Sequence, residues 1–159
     1  MRRVTDRLEY MDGALEHDVL AANLRDLARV NRWLGGVALT RRALIALATG
    51  KHTRPWGGHV DWHTRPLRLL DVGTGAADIP AALIDWTAGR GLLLEVEAID
   101  ERHEILDVAY ERVGDHRDLH LEHTAGDTLA YPDDAFDIAH ASLVMHHLDP
   151  AEVVALLRE

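Results

Sequence analysis

The segment from Leu67 to Pro80, LRLLDVGTGAADIP, constrains the fold of this chain more than any other. An apolar run leads into two glycines one residue apart, Gly73 and Gly75, and a helix-forming stretch follows. A strand that passes through a glycine turn into a helix is the first half of a parallel βα unit. The sequence therefore predicts an α/β domain with its binding site near this turn.

Strands and helices continue to alternate after the turn. Apolar patterns predict strands at about 67–72, 92–99, 119–124 and 136–141. They predict helices near 78–88, 103–113 and 149–158. Right-handed crossovers between such elements produce a parallel sheet, so we expect a Rossmann-like three-layer α/β sandwich.

Two helices precede the alternating region. Apolar residues recur at three- and four-residue steps from Leu15 to Leu34, which predicts an amphipathic helix that the following glycine pair ends. A second apolar helix follows, and the turn-rich segment 49–66 predicts a loop. We therefore expect an N-terminal helical cap at 1–50, a linker at 51–66 and the main domain at 67–159.

Composition limits the class of protein. The 159 residues, 47% of them hydrophobic, can bury one sizeable core, and the absence of cysteine excludes disulfides and thiolate metal sites. No apolar run approaches the roughly 18 residues of a membrane span, and the first residues lack the apolar segment of a signal peptide. The formal net charge of −10 opposes nucleic-acid binding. These features favour a cytoplasmic protein without a membrane span or a nucleic-acid partner.

Two carboxylates, Asp71 and Asp78, flank the glycine turn. In the dinucleotide fingerprint G-x-G-x-x-G, Asp78 would take the place of the third glycine, and both carboxylates would repel a pyrophosphate. They suit a ligand that joins an ammonium or a sulfonium to an adenosine. S-adenosylmethionine carries these groups, so a nicotinamide-dependent oxidoreductase is the less favoured alternative.

The motif Asp71-Val72-Gly73-Thr74-Gly75 resembles the first motif of the class I S-adenosylmethionine-dependent methyltransferases. The resemblance extends from about Leu67 to Leu157, and Ala77 stands where the family usually has a third glycine. It implies that Asp71 helps to hold the methionine ammonium, while the two glycines let the backbone approach the cofactor. A capping or turn role is the alternative for Asp71.

Asp100 ends the second predicted strand, 29 residues after Asp71. A carboxylate at this place can accept hydrogen bonds from both ribose hydroxyls of an adenosine, although it could instead cap the helix that begins near His103. By resemblance, the segment 126–128 meets the adenine. The full set of expected cofactor residues is Asp71, Gly73, Thr74, Gly75, Ala77, Asp100, Glu101, Asp127, Thr128 and Ser142.

The segment SLVMHHL, Ser142 to Leu148, resembles the small-molecule methyltransferases related to the ubiquinone and menaquinone biosynthesis enzymes. The resemblance implies S-adenosylmethionine-dependent methyl transfer to a small-molecule acceptor. His146 and His147 are candidate general bases for an acceptor that must lose a proton. Packing under the cofactor, or capping of the next helix, is the alternative role for either histidine.

Other histidines and tryptophans lie in two groups. One group is His52, Trp56, His59, Trp62 and His63 in the linker, and the other is His120, His123 and Asp127. Neither group has a recognised spacing of metal ligands, so we expect no metal site. The linker tryptophans could belong to a lid, and the N-terminal helices could cover the substrate or pack on the sheet.

The predicted elements stop after the fourth strand and its helix. The family has the strand order 3-2-1-4-5-7-6, and this sequence supplies the strands for 3-2-1-4 alone. The chain could therefore be a fragment of a longer enzyme, or a short form that binds the cofactor without catalysis. We expect the fourth strand to lie at an exposed edge, which favours self-association.

Overall fold

The predicted order of elements is confirmed in the computed structural model, which describes residues 13, 15–49, 61–124 and 129–159. Two helices come first, α1 (His17–Trp33) and α2 (Gly36–Ala48). They are followed by β1 (Leu67–Val72), α3 (Asp78–Ala88), β2 (Leu94–Asp100), α4 (His103–Val113), β3 (Leu119–His123), β4 (Ile138–Ala141) and α5 (Pro150–Leu156). No helix in these ranges is both long enough and apolar enough to cross a membrane.

The four strands form one parallel sheet in the order β3-β2-β1-β4. The chain moves outward from β1 to β3 and then returns to the other side of β1, so the order reverses between β1 and β4. Ligands of open parallel sheets bind beyond the carboxyl ends of the strands at such a reversal. Asp71 and His140 face each other in register at this place. The predicted Rossmann-like fold and strand order are confirmed.

The main core lies between the sheet and helices α2, α3 and α4. It contains Leu67 and Leu69 of β1, Leu83 of α3 and other apolar residues of these elements. The opposite face of β2 and β3 is polar, because buried residues alternate along these strands with polar residues that are exposed or half exposed. These polar residues are Glu95, Glu97, His120 and Glu122. At this edge of the sheet, the apolar core therefore covers one face only.

Helix α1 packs against the glycine turn and against helices α2, α3 and α4. Leu20 and Leu24 are fully or almost fully buried, and they form a second apolar cluster with Ala76, Ile105 and Val108. The glycine pair separates the two helices as predicted, but Gly36 is already the first residue of α2. Gly35 adopts a left-handed conformation with φ 96°, which glycine tolerates without a steric penalty.

Trp62 belongs to the core. Its side chain is 7% exposed, and its ring centroid lies 6.3 Å from that of Trp86. The backbone carbonyl of Trp62 accepts a hydrogen bond of 2.7 Å from Leu93, which ties this part of the linker to the start of β2. The lid hypothesis is therefore wrong for Trp62, because its side chain is buried in the core. The polar turn residues around it in the sequence gave no sign of this burial. Trp56, His52 and His59 lie outside the described residues.

Candidate functional site

Asp71 is held from two sides at the end of β1. Its side chain is 5% exposed. One carboxylate oxygen accepts a hydrogen bond of 2.8 Å from the hydroxyl of Thr74, and the other lies 2.5 Å from Nδ1 of His140. Such partners offset the cost of burying a charged group. The bond to Thr74 makes Asp71 part of the turn, and the bond to His140 connects it to β4.

The two glycines of the turn are required for different reasons. Both have left-handed backbones, with φ 65° at Gly73 and 59° at Gly75. A Cβ on Gly73 would lie 2.3 Å from a methyl group of Val144, which is too close. Glycine at this position therefore leaves room for the segment after β4. Among the residues that the structure describes, a Cβ on Gly75 would meet only Leu24, at 3.9 Å. These residues therefore leave space above Gly75 for a ligand that approaches the backbone.

Ala77 is the N-cap residue of α3 and is fully buried. Its φ is 53°, a left-handed conformation that costs a residue with a Cβ roughly 1–2 kcal/mol relative to glycine. This backbone geometry gives a physical reason for a glycine preference at the third position of the motif.

Asp100 connects the end of β2 to the glycine turn. Its carboxylate accepts a hydrogen bond of 3.1 Å from the backbone N–H of Gly75 and one of 3.2 Å from that of Arg102. Burial raises the pKa of Asp100, and these two hydrogen bonds only partly oppose the shift. The N-cap of α4 is Arg102, without a side-chain cap, so the alternative of Asp100 as the cap residue is wrong. Glu101, beside it, is exposed.

Asp78, the other carboxylate at the turn, is bound by α1. Its Oδ2 accepts a hydrogen bond of 3.1 Å from the side-chain amide of Asn31. Burial raises the pKa of Asp78, and the negative charge of Asp71 adds a smaller contribution in the same direction. Three carboxylates, those of Asp71, Asp78 and Asp100, therefore surround the glycine turn and favour a ligand with positive charge.

The segment after β4 carries the two candidate general bases on its surface. His146 and His147 are exposed, with ring centroids 3.9 Å apart. Asp149 is the N-cap of α5 and accepts hydrogen bonds from the N–H groups of Ala151 and Glu152, at 2.7 and 3.0 Å. The alternative in which a histidine caps this helix is therefore wrong.

Other expected residues are divided among different places. Ser142 is half buried just after β4, whereas Asp127 and Thr128 lie outside the described ranges. His120 and His123 are on opposite faces of β3, because side chains alternate along a strand. His123 stacks on His103 with ring centroids 3.5 Å apart. Where the structure describes the chain, Glu97, His120 and Glu122 bring their polar atoms within 4.8 Å of one another, in an exposed to half-exposed cluster.

Three residues that are linked by hydrogen bonds to the carboxylates of the site, directly or through another residue, were not predicted from the sequence: His140, Thr40 and Asn31. His140 lies in β4 between two alanines, and a histidine inside a short apolar strand is a signal for a buried polar partner. Its partner Asp71 follows from the register of β1 and β4. Asn31 and Thr40 carried no comparable signal, because they reach the site only through the packing of α1 and α2.

Comparison with known proteins identifies the family. Residues 69–159, which include the glycine turn and Asp100, match the methyltransferase domain family. The chain belongs to this family. No curated protein sequence matches the chain.

Solved structures with the same fold include other methyltransferases. The chain is similar to a protein from Methanococcus maripaludis described as an S-adenosyl-L-methionine-dependent methyltransferase, with 10% identity and a TM-score of 0.59 over 92% of this chain and 60% of that one. It is also similar to an O-methyltransferase family 2 protein from Planctomyces limnophilus, solved with apigenin. That pair has 21% identity and a TM-score of 0.60 over 92% of this chain and 39% of the other. The chain thus spans 60% and 39% of the lengths of these two structures.

Membership in the methyltransferase family agrees with the predicted methyltransferase type, and the two solved structures share its fold. The residues at the end of β1 are compatible with the predicted cofactor, S-adenosylmethionine. They combine buried carboxylates with a glycine backbone whose Cβ position is not crowded by any of the described residues. The fold and the donor set therefore fit an adenosine that carries a cationic chain.

Proposed function

We propose that this chain binds S-adenosylmethionine at the carboxyl ends of β1 and β2 and contributes to methyl transfer to a small-molecule acceptor. One observation carries the proposal: three carboxylates surround a left-handed glycine turn at the reversal of strand order. A negative site of this kind attracts a cationic ligand and disfavours a pyrophosphate. This makes a nicotinamide-dependent oxidoreductase the weaker candidate.

The proposed roles follow from the position of each group. Asp71 holds the methionine ammonium, directly or through water, and the glycine turn from Gly73 to Ala77 lies along the amino-acid chain. Asp100 and Glu101 accept hydrogen bonds from the ribose hydroxyls. Asp127 and Thr128 meet the adenine, and Ser142 lines the site just after β4.

The bound cofactor would supply an electrophilic methyl group on its sulfonium. The protein must then orient the acceptor and exclude water. We propose that α1 and α2, within the cap at 1–50, form one wall of the site. In support, α1 packs beside the turn through Leu24, and its Asn31 binds Asp78. We propose His146 or His147 as the general base for a weakly acidic acceptor.

Calorimetric titration of the chain with S-adenosylhomocysteine and with NAD tests the cofactor proposal. We expect binding of S-adenosylhomocysteine and none of NAD at the same concentrations. The opposite preference would refute the proposal. Transfer from labelled S-adenosylmethionine to a panel of small acceptors then separates an enzyme from a binding module, because a binding module gives a normal titration and no labelled product.

A further inference from the structure

His140 lies between the cap helix α2 and the carboxylate of Asp71. Its Nδ1 is 2.5 Å from Oδ1 of Asp71 on β1, and its Nε2 is 3.2 Å from the hydroxyl of Thr40 on α2. The histidine side chain is 18% exposed. Three elements thus meet in one hydrogen-bonded chain at the reversal of strand order.

We propose that His140 is a positioning residue for the amino-acid end of the cofactor. It fixes the carboxylate of Asp71 in the orientation that receives the ammonium, and Thr40 fixes His140. This inference rests on the proposed function, because it assigns a role to a neighbour of Asp71 within the same site.

The hydrogen bonds leave the carboxylate little freedom to rotate. Thr74 donates to Oδ2, while Nδ1 of His140 faces Oδ1, so the two oxygens have different partners. A carboxylate oxygen can accept more than one hydrogen bond, and both oxygens therefore keep capacity for a ligand. An ammonium that arrives at this place meets a carboxylate whose orientation is already set, which lowers the ordering cost of binding.

Thr40 restricts the imidazole in turn. Its hydroxyl lies 3.1 Å from the carbonyl of Gly36 and has one proton to donate. When that proton goes to Gly36, Nε2 of His140 must carry a hydrogen and donate to Thr40. When the proton goes to Nε2, the imidazole is the neutral tautomer with its hydrogen on Nδ1. With its hydrogen on Nδ1 the ring donates to Asp71, and the contacts of its two nitrogens with Thr40 and Asp71 hold the ring in one orientation.

Two ligands separate this role from a merely structural one. S-adenosylhomocysteine has the amino-acid end, whereas 5′-methylthioadenosine has the same adenosine and a thioether without that end. If His140 acts through Asp71, its loss weakens binding of the first ligand and leaves binding of the second unchanged. A residue needed only for folding would affect both.

The experiment is calorimetric titration of the full chain and three variants with both ligands. We expect His140→Leu to lower the affinity for S-adenosylhomocysteine about tenfold, the usual effect of losing a hydrogen bond to a charged group, and to change that for 5′-methylthioadenosine less than about twofold. His140→Asn retains a donor near the position of Nδ1 and should recover most of the lost affinity. Thr40→Val, which removes one hydroxyl, should produce a smaller loss for S-adenosylhomocysteine alone.

The outcomes distinguish failure of the proposed function from failure of the role of His140. Absence of binding of both ligands to the unchanged chain would refute the proposed function, and this inference with it. Normal binding to the unchanged chain, followed by equal losses for both ligands or by no loss in His140→Leu, would overturn this inference alone. If His140→Leu does not fold, Thr40→Val decides, because an unselective effect of that variant also overturns the role.

Discussion

Aspartates in this chain occupy opposite electrostatic environments. Burial raises the pKa of Asp78 and Asp100 beside the glycine turn. The guanidinium of Arg65 lowers the pKa of Asp137 at the start of β4. A raised pKa means that ionisation of the carboxyl costs stability as the pH rises, whereas a lowered pKa means that ionisation stabilises the fold. Both destabilising aspartates lie beside the glycine turn, and Asp100 is assigned to ligand binding, where perturbed pKa values are typical.

Asp100→Asn should separate affinity from stability. The upward shift of the Asp100 pKa means that the burial penalty outweighs the two backbone hydrogen bonds. The neutral amide removes this penalty, so we expect a higher thermal midpoint at neutral pH. Affinity for S-adenosylhomocysteine should fall about tenfold, because hydrogen bonds to a charged acceptor are lost. Asp85→Asn, at an exposed position of α3, is the control. A lower midpoint with unchanged affinity would contradict the ribose role.

Asp137→Asn should remove stability that depends on pH. Asp137 accepts two hydrogen bonds from Arg65, at 2.6 and 2.8 Å, and one of 2.9 Å from the backbone N–H of Arg68. Because the folded pKa lies below the unfolded value, this stabilisation is present above the unfolded pKa and is lost as the pH falls through the folded pKa.

Urea denaturation at neutral and acidic pH measures this effect. The midpoints of the unchanged chain and of Asp137→Asn should differ at about pH 7 and converge as the pH falls through the lowered pKa of Asp137. The control Asp133→Asn changes an exposed aspartate nearby. A difference between the chain and Asp137→Asn that is independent of pH would show that the ion pair is not the cause.

At the scale of elements, the sequence predicted the order and the approximate bounds of the strands and helices. Most of these bounds could be predicted because they depend on local signals, namely hydrophobic periodicity and glycine turns. The contacts of His140 with Asp71 and of Asn31 with Asp78 depend on register and on helix packing between residues distant in the chain. These contacts could not be read from local patterns. The burial of Trp62 was also missed, because its neighbours in the sequence are polar turn residues and its partner Trp86 is distant in the chain.

The attachment of α1 can be tested with two leucines of the same helix. Leu20 is fully buried, whereas Leu27 is 38% exposed. We expect Leu20→Ala to lower the free energy of unfolding by about 2–5 kcal/mol, and Leu27→Ala by less than about 1 kcal/mol, because only the former leaves a cavity. Urea denaturation measures both values. Similar small losses would mean that α1 is not held in place by this apolar cluster.

At the scale of the whole molecule, the sheet is protected unevenly. The helices cover one face, and the outer face of β2 and β3 is polar. Near β4, a cavity of about 390 Å³ is lined by apolar residues that include Leu70, Ile138 and Leu156. Helix α5 has no buried residue and covers this flank incompletely. The apolar surface of the described sheet is therefore concentrated beside one edge strand.

This arrangement leads us to expect self-association through β4. The strand pairs with β1 on one side, and no strand in the described ranges pairs with its other side. Backbone N–H and carbonyl groups along such an edge can pair with the same strand of another copy, and the adjacent apolar cavity adds surface to bury. Light scattering after size-exclusion chromatography should detect larger species whose fraction rises with protein concentration.

Lysine variants test whether β4 is the contact. A charge on an edge strand opposes pairing, so Ala139→Lys, at an exposed position of β4, should reduce the fraction of larger species. Ala22→Lys adds the same charge at an exposed position of α1 and should leave that fraction unchanged. A chain that is monomeric at every concentration, or one for which the two lysine variants behave alike, would exclude β4 as the contact.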